Sequence, residues 1–252
     1  EILKFMRDFG CGPAPEDLFQ ALVLKIFEYQ FMRNPGYRTF CRLENKRPGQ
    51  LKSWKEIPAM PADGFKELVL ATFPIKRAIR VFKTSGTSNE TRGTSATGTS
   101  ADASLRGAHF FDTLKLYEAA ILPPFREHLL PDRADLLYYF LMSSPKEAPN
   151  SSLSYMMGVV NRVFANRKGR FYAKAGKISH QRLLSDLRES KKGIFILATA
   201  FSLKSFLDYL KEKKTGLKLP KGSRIMETGG FKGRMREILK KVLHQECGQR
   251  LG

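Results

Sequence analysis

The sequence contains few of the residues on which disulfide scaffolds and metal centres depend. Its three cysteines, Cys11, Cys41 and Cys247, are odd in number, lie far apart and form no CxxC pair. They therefore predict neither a disulfide framework nor a zinc site, and they favour a reducing, cytoplasmic environment. The four histidines show no HExxH spacing, which argues against a histidine-based metal site.

Long apolar runs and the pattern of a secretory leader are not found in this sequence either. No segment approaches the roughly 18 consecutive apolar residues that a membrane span needs. The first residues, from Glu1 to Met6, are charged and lack a cleavage-site pattern, so no signal peptide is predicted. Because the sequence opens on Glu1 and not on Met, we expect it to be cut at the front. The 252 residues, 42% hydrophobic and 27% charged, are typical of one large or two small globular domains.

Acidic residues are scarce beside basic ones. Lys and Arg number 44 against 24 Asp and Glu, which gives a net charge of +20. Such an excess predicts an anionic substrate, an acidic partner protein, a nucleic acid or an anionic membrane surface. The basic residues are spread along the chain, often beside acidic ones, and are not interleaved with aromatic residues as a base-stacking surface requires. The pattern favours a solvated basic surface, and nucleic-acid binding stays an alternative function.

Apolar periodicity predicts helices that alternate with buried strands. Pro15-Glu16-Asp17 is typical of a helix start, and apolar residues continue at helical spacing to Phe31. Further helices are predicted over residues 110–129, 151–164, 181–190, 202–213 and 233–244, and strands over 79–82, 136–142, 194–198 and 224–226. This alternation predicts an α/β fold, a largely parallel sheet with flanking helices behind a helical N-terminal segment. We expect residues 1–55 to form that segment and residues 56–252 to form the core.

A loop rich in glycine, serine and threonine follows the first predicted strand. Glycine lets consecutive backbone N–H groups converge on an anion, hydroxyls add donors, and a nearby arginine can clamp a phosphate. The residues concerned are Thr84, Ser85, Gly86, Thr87, Ser88 and Arg92. No Gly-Lys-Ser/Thr ending is present, so the loop is not a Walker-type phosphate loop, and a flexible surface turn is the alternative. Residues 94–108 have little apolar surface to bury, which predicts poor order.

Three blocks, taken in order, resemble a known family. They are the Thr84–Ser88 loop followed by Thr91-Arg92-Gly93, the Ile57–Pro61 segment before Phe65-Lys66, and the distinctive Met226–Arg234 run with its Gly-Gly pair. Together they resemble the acyl-protein synthetases, the fatty-acid-activating components of bacterial luminescence fatty acid reductases, within the acyl-adenylate-forming ligases. The resemblance runs from about Trp54 to Arg236, and it implies an adenylate-forming N-terminal domain.

The resemblance implies a function and a site. It implies that ATP and Mg²⁺ activate a long-chain fatty acid to acyl-AMP, that a protein cysteine then takes the acyl group, and that an acyl-reductase subunit is a partner. The Thr84–Ser88 loop and Arg92 would bind the ATP phosphates. The nucleotide or acyl-adenylate would lie beside Gly229, Gly230, Phe231 and Lys232. Because ligand sites gather at the carboxyl ends of parallel strands, we expect the two glycine-containing loops to line one cleft.

The chain also departs from the family pattern. The family loop usually carries lysine where this chain has Arg92, and residues 94–108 interrupt the run that follows. The Tyr-Gly-x-Thr-Glu block and the lobe with the acyl-accepting cysteine are not found, so we expect an enzyme that is incomplete at its C-terminal end, with no catalytic residue assigned. The alternatives are an acyl- or aryl-CoA ligase of the same superfamily, a catalytically inactive fragment, and, for the Gly-Gly block, a simple tight turn.

Overall fold

The structure, a computed structural model, describes residues 1–84, 107–132, 135–229 and 239–252. The chain forms two compact units, Glu1–Pro124 and Phe125–Gly252, called unit 1 and unit 2 below. Within the described ranges, every helix is too short or too polar to cross a lipid bilayer.

Unit 1 begins with helices packed around a small apolar core. The helices are α1 (Ile2–Phe9), α2 (Glu16–Arg33), α3 (Pro35–Leu43) and the short α4 (Gly64–Glu67). Glu16 and Asp17 lie in the first turn of α2, where acidic groups complement the helix dipole. Asn34 ends α2 and caps α3, because its side-chain oxygen accepts the backbone N–H of Tyr37 at 3.2 Å. Phe27, Phe31 and Cys41 are buried where α2 and α3 pack together.

A β-hairpin completes the described part of unit 1 and corrects one prediction. Strand β1 (Arg80–Lys83) pairs antiparallel with β2 (Ala108–Phe111), and helix α5 (Lys115–Leu129) follows. The helix predicted from residue 110 is wrong at its start, since Phe110 and Phe111 belong to β2. Phe111 packs against Phe82 at a ring distance of 5.2 Å, so pairing with a distant strand decided the conformation of this segment.

A five-stranded mixed sheet forms the centre of unit 2. The strands are β3 (Leu137–Ser143), β4 (Arg170–Lys174), β5 (Lys177–Ile178), β6 (Ile194–Thr199) and β7 (Arg224–Thr228), in the order β5-β4-β3-β6-β7. Strand β3 pairs parallel with β4 and β6, β6 pairs parallel with β7, and only the β4–β5 pairing is antiparallel. The predicted α/β class, with a largely parallel sheet and flanking helices, is confirmed for the described residues. Strands β4 and β5 were not predicted.

The helices of unit 2 lie close to their predicted positions. They are α6 (Ser152–Val163), α7 (His180–Glu189), α8 (Ala200–Glu212) and α9 (Lys240–Leu251). Helix α9 is the exception: the prediction of a helix over residues 233–244 is wrong at Leu239, which is extended with ψ 136°, and the helix instead runs from Lys240 past His244 to Leu251. Residues 233–238 lie outside the described residues. The buried core includes β6 together with α7 and α8, with Ile196, Leu203 and Phe206 at most 1% exposed.

Candidate functional site

The predicted phosphate loop leaves from the end of β1. The strand ends at Lys83, next to the predicted end at Phe82, and the exposed Thr84 donates its backbone N–H to the carbonyl of Gly107 at 2.8 Å. The remaining predicted phosphate-binding residues lie outside the described residues: Ser85, Gly86, Thr87, Ser88 and Arg92. The poor order predicted for residues 94–108 is wrong at its end, because Gly107 is hydrogen-bonded to Thr84 and Ala108 belongs to β2. For residues 94–106, which lie outside the described residues, it stays a prediction.

Gly107 lies at the base of the β1–β2 hairpin, where Phe65 and Thr84 approach its backbone closely. A Cβ atom on Gly107 would lie 3.1 Å from the carbonyl oxygen of Phe65 and 3.2 Å from Cγ2 of Thr84. The ring of Phe65 also packs on the ring of His109 in β2, with centroids 4.7 Å apart. The segment before α5 is therefore held against α4 at the point where the predicted phosphate loop begins and returns.

Gly229 follows β7 in a conformation that favours glycine. Its φ is +73°, in the left-handed region, and no described heavy atom lies within 4 Å of a Cβ built there. The backbone conformation, and not lack of space, therefore favours glycine at this position. Gly230, Phe231 and Lys232 lie outside the described residues. The single cleft expected for Gly86 and the Gly229-Gly230 pair therefore stays a prediction.

The carboxyl edge of the parallel sheet brings two threonines together in unit 2. Thr199 at the end of β6 is paired with Thr228 at the end of β7. Thr199 also caps α8, because its hydroxyl accepts the backbone N–H of Ser202 at 3.1 Å. In return, the Ser202 hydroxyl accepts the backbone N–H of Thr199 at 2.9 Å. Edges of this kind, with a helix N-terminus beside them, are where α/β proteins bind anionic ligands.

Ionisable side chains on β7, α8 and α9, not predicted from the sequence, form two sets of close contacts. The Glu227 side chain is only 7% exposed, and its Oε2 lies 3.8 Å from Nε2 of His244. Lys204 on α8 lies between Asp208, with which it forms a close ion pair, and Glu246 at 3.4 Å. Burial opposes the charge on Lys204, but the two carboxylates outweigh this effect and raise the pKa of the ammonium group. The i, i+4 spacing of Lys204 and Asp208 was the signal in the sequence for this pair.

Two of the three cysteines, Cys41 and Cys247, are poor nucleophiles. Burial, with smaller contributions from Glu246 and Glu227, raises the pKa of Cys247 to about 11. The Cys41 side chain is fully buried, and its burial also raises the pKa of its thiol. Because the thiolate is the reactive form, neither side chain is an activated acyl acceptor at neutral pH.

Two further observations bear on the chemistry of the chain. Among the described residues, no group of three His, Cys, Asp or Glu side chains is placed to hold a metal ion. No protein-family model, curated protein or solved structure matches this chain.

Proposed function

We propose that this chain activates a long-chain fatty acid with ATP, as the acyl-protein synthetases that it resembles do. A carboxylate oxygen attacks the α-phosphorus of ATP, pyrophosphate leaves, and acyl-AMP forms. A protein thiol then attacks the acyl carbonyl, loses its proton and releases AMP. The observation that carries the proposal is the left-handed Gly229, which directly follows β7 at the carboxyl edge of the parallel sheet.

The residues of the two glycine-containing loops supply binding and positioning. In this proposal the Thr84–Ser88 hydroxyls and N–H groups bind the ATP phosphates, and Gly229 and Gly230 allow the nucleotide to approach the backbone. Sites of this kind usually hold Mg²⁺ through the phosphates and one or two carboxylates, and the ion would supply neutralisation of the phosphate charge. One carboxylate near Gly229 could serve as such a ligand: that of Glu227, two residues earlier on β7. Catalysis would come mainly from alignment and charge stabilisation.

ATP–pyrophosphate exchange that depends on tetradecanoic acid tests the proposal. The full chain should catalyse exchange, and Gly229→Ala should lower its rate by about 10- to 100-fold, because small displacements of bound reactants are that costly. Gly176→Ala is the matched control, because Gly176 has a φ of +76° and equally open space in the β4–β5 turn. Both variants carry the same backbone strain, so only Gly229→Ala should lose exchange. Absence of acid-dependent exchange in the unaltered chain would refute the proposal.

Nucleic-acid binding is a second candidate, favoured by how the charge is distributed. Residues 125–252 carry 26 Lys and Arg against 11 Asp and Glu, so +15 of the net +20 belongs to unit 2. A phosphate-binding surface of this kind loses affinity steeply with added salt. Binding of a single-stranded oligonucleotide, measured by anisotropy at rising salt, decides the matter. Micromolar or tighter binding at physiological salt with a steep salt slope would favour this candidate over the ligase.

A further inference from the structure

Unit 1 contains a pocket of about 310 Å³ between α2, α3 and the segment around α4. Its lining is mainly apolar and contains no charged side chain. The lining residues are Val23, Ile26, Phe27, Gln30, Asn34, Tyr37, Ile57, Met60, Phe65 and Leu70. Since burial of an unpaired charge is costly, a lining of this composition selects a ligand that is apolar over most of its length.

One face of α2 forms the longest wall of this pocket. Val23, Ile26, Phe27 and Gln30 follow the i, i+3, i+4, i+7 spacing that places side chains on a single helix face. The face changes from apolar at Val23 to polar at Gln30 and, one turn further, Asn34. The pocket is therefore polarised along the helix, with hydrocarbon at one end and amides at the other.

The amide end has donors to spare. Asn34 is 6% exposed, and its side-chain oxygen accepts a hydrogen bond from the backbone N–H of Tyr37. Its Nδ2 makes a long hydrogen bond of 3.4 Å to Oε1 of Gln30, and Nε2 of Gln30 donates to no atom in the described part of the chain. Polar groups in a pocket need partners, so these N–H groups suit a ligand with an oxygen acceptor at one end.

We propose that this pocket binds the acyl chain of the fatty acid, with the carboxylate at the Gln30–Asn34 end, and that it accommodates about ten carbons. This inference rests on the proposed function for the identity of the ligand. At roughly 30 Å³ for each group of the size of a water molecule or a methylene, 310 Å³ holds about ten groups. Longer acids still bind, but their further carbons lie outside the pocket and add little affinity.

Phe65 connects this pocket to the predicted phosphate loop. Its side chain lines the pocket, its ring packs on His109 in β2, and its carbonyl oxygen faces Gly107 at the base of the hairpin. The acyl chain and the start of the phosphate loop thus share one unit and one contact residue.

Calorimetric titration of the full chain with saturated fatty acids of six to sixteen carbons, without ATP, tests the inference. Affinity should rise about fourfold for each added methylene while hydrocarbon is being buried. We expect the rise to stop near ten carbons, with less than a twofold gain for each carbon beyond twelve. A rise that continues to sixteen carbons, no dependence on length, or no binding would overturn the inference.

Two variants of α2 locate the binding site. Val23→Phe fills the apolar end and should move the break to shorter acids, with decanoate bound about tenfold more weakly. Met32→Phe is the matched control, because Met32 is 64% exposed on the same helix and does not line the pocket. Circular dichroism shows whether each variant is folded. Equal effects of the two variants on decanoate affinity would contradict the assignment.

A third variant tests the polar end, and ATP–pyrophosphate exchange separates the two proposals. Gln30→Met should remove the preference for decanoate over decanol while leaving decanol affinity within about twofold; an unchanged preference would contradict the placing of the carboxylate. A length break in binding without any exchange would support the pocket and remove the adenylating activity. Exchange without a length break in binding would support the adenylating activity and contradict the assignment of the pocket.

Discussion

The hydroxyl of Tyr172 donates a 2.6 Å hydrogen bond to Oδ2 of Asp186, which joins β4 to α7. Arg170, the first residue of β4, pairs with the other carboxylate oxygen at 2.8 Å. Tyr172 is 1% exposed, and burial together with the bond to Asp186 raises the pKa of its hydroxyl, so the group stays a donor at every pH of interest. One carboxylate thus anchors the strand that sequence periodicity did not predict.

Removal of this donor should destabilise the protein. Tyr172→Phe deletes the hydroxyl and leaves the ring, so the free energy of unfolding should fall by about 2 kcal/mol, the usual contribution of a hydrogen bond to a charged group. Urea unfolding followed by far-UV circular dichroism measures the change. Tyr29→Phe is the control, because Tyr29 is 50% exposed, and its effect should stay within about 0.5 kcal/mol. Equal effects of the two substitutions would contradict the role of the Tyr172–Asp186 bond.

The contribution of Asp186 should depend on pH in a defined direction. Burial alone would raise the pKa of this carboxyl, but hydrogen bonds from Tyr172 and Arg170 outweigh it and lower the pKa. A group whose folded pKa lies below its unfolded value of about 3.9 stabilises the fold above that value and stops doing so as the pH falls through the folded pKa. The unaltered chain should have a higher free energy of unfolding than Asp186→Asn, by an amount that is constant above about pH 5. This difference should shrink progressively as the pH falls below about 4. A difference that widens on acidification would show that the carboxyl is not held in its charged form.

The central strand of the unit 2 sheet should be sensitive to loss of volume. Leu197 in β6 is fully buried and lies between Phe140 of β3 and Met226 of β7 in the strand register. Leu197→Ala should lower the free energy of unfolding by about 2–5 kcal/mol, because hydrocarbon contact is lost and a cavity remains. Leu239→Ala is the control, because it makes the same change at a residue that is 77% exposed. Its free energy of unfolding, measured by thermal and urea unfolding, should change by less than about 0.5 kcal/mol.

The thiol of Cys247 should react slowly at neutral pH. Because its pKa is raised to about 11, the rate of alkylation by iodoacetamide should keep rising to about pH 11, whereas an unperturbed thiol levels off above its pKa of about 8.5. The Cys11→Ser variant isolates this reaction, since Cys41 is fully buried and should label only after unfolding. Peptide mass spectrometry assigns the modified residue. A rate that levels off near pH 8 or 9 would show that Cys247 is less buried than the structure indicates.

Much of the fold could be predicted from local pattern. The continuous apolar runs of β3 and β6 carry their own signals, because their side chains must be buried whatever the neighbours are. So do helices α6 and α8, with their serine and threonine caps, and α2, with its acidic first turn. Strand β4 carries no such signal, since Arg170 and Lys174 at its ends are exposed and only Phe171, Tyr172 and Ala173 face apolar surroundings. Its identity as a strand depends on pairing with β3.

For the candidate site, the sequence by itself determined the strands β1 and β7, and the two glycine-containing loops that follow them stay predictions beyond Thr84 and Gly229. It could not show that Gly229 adopts a left-handed conformation, that Phe110 and Phe111 form a strand, or that Tyr172 meets Asp186. It could not show the pocket of unit 1 either, because its lining is drawn from segments between Val23 and Leu70 that become neighbours only when α2 and α3 pack. Local composition specifies what a segment prefers, and the tertiary structure decides which distant segments share their buried surface, because burial and strand pairing are satisfied between segments and not within them.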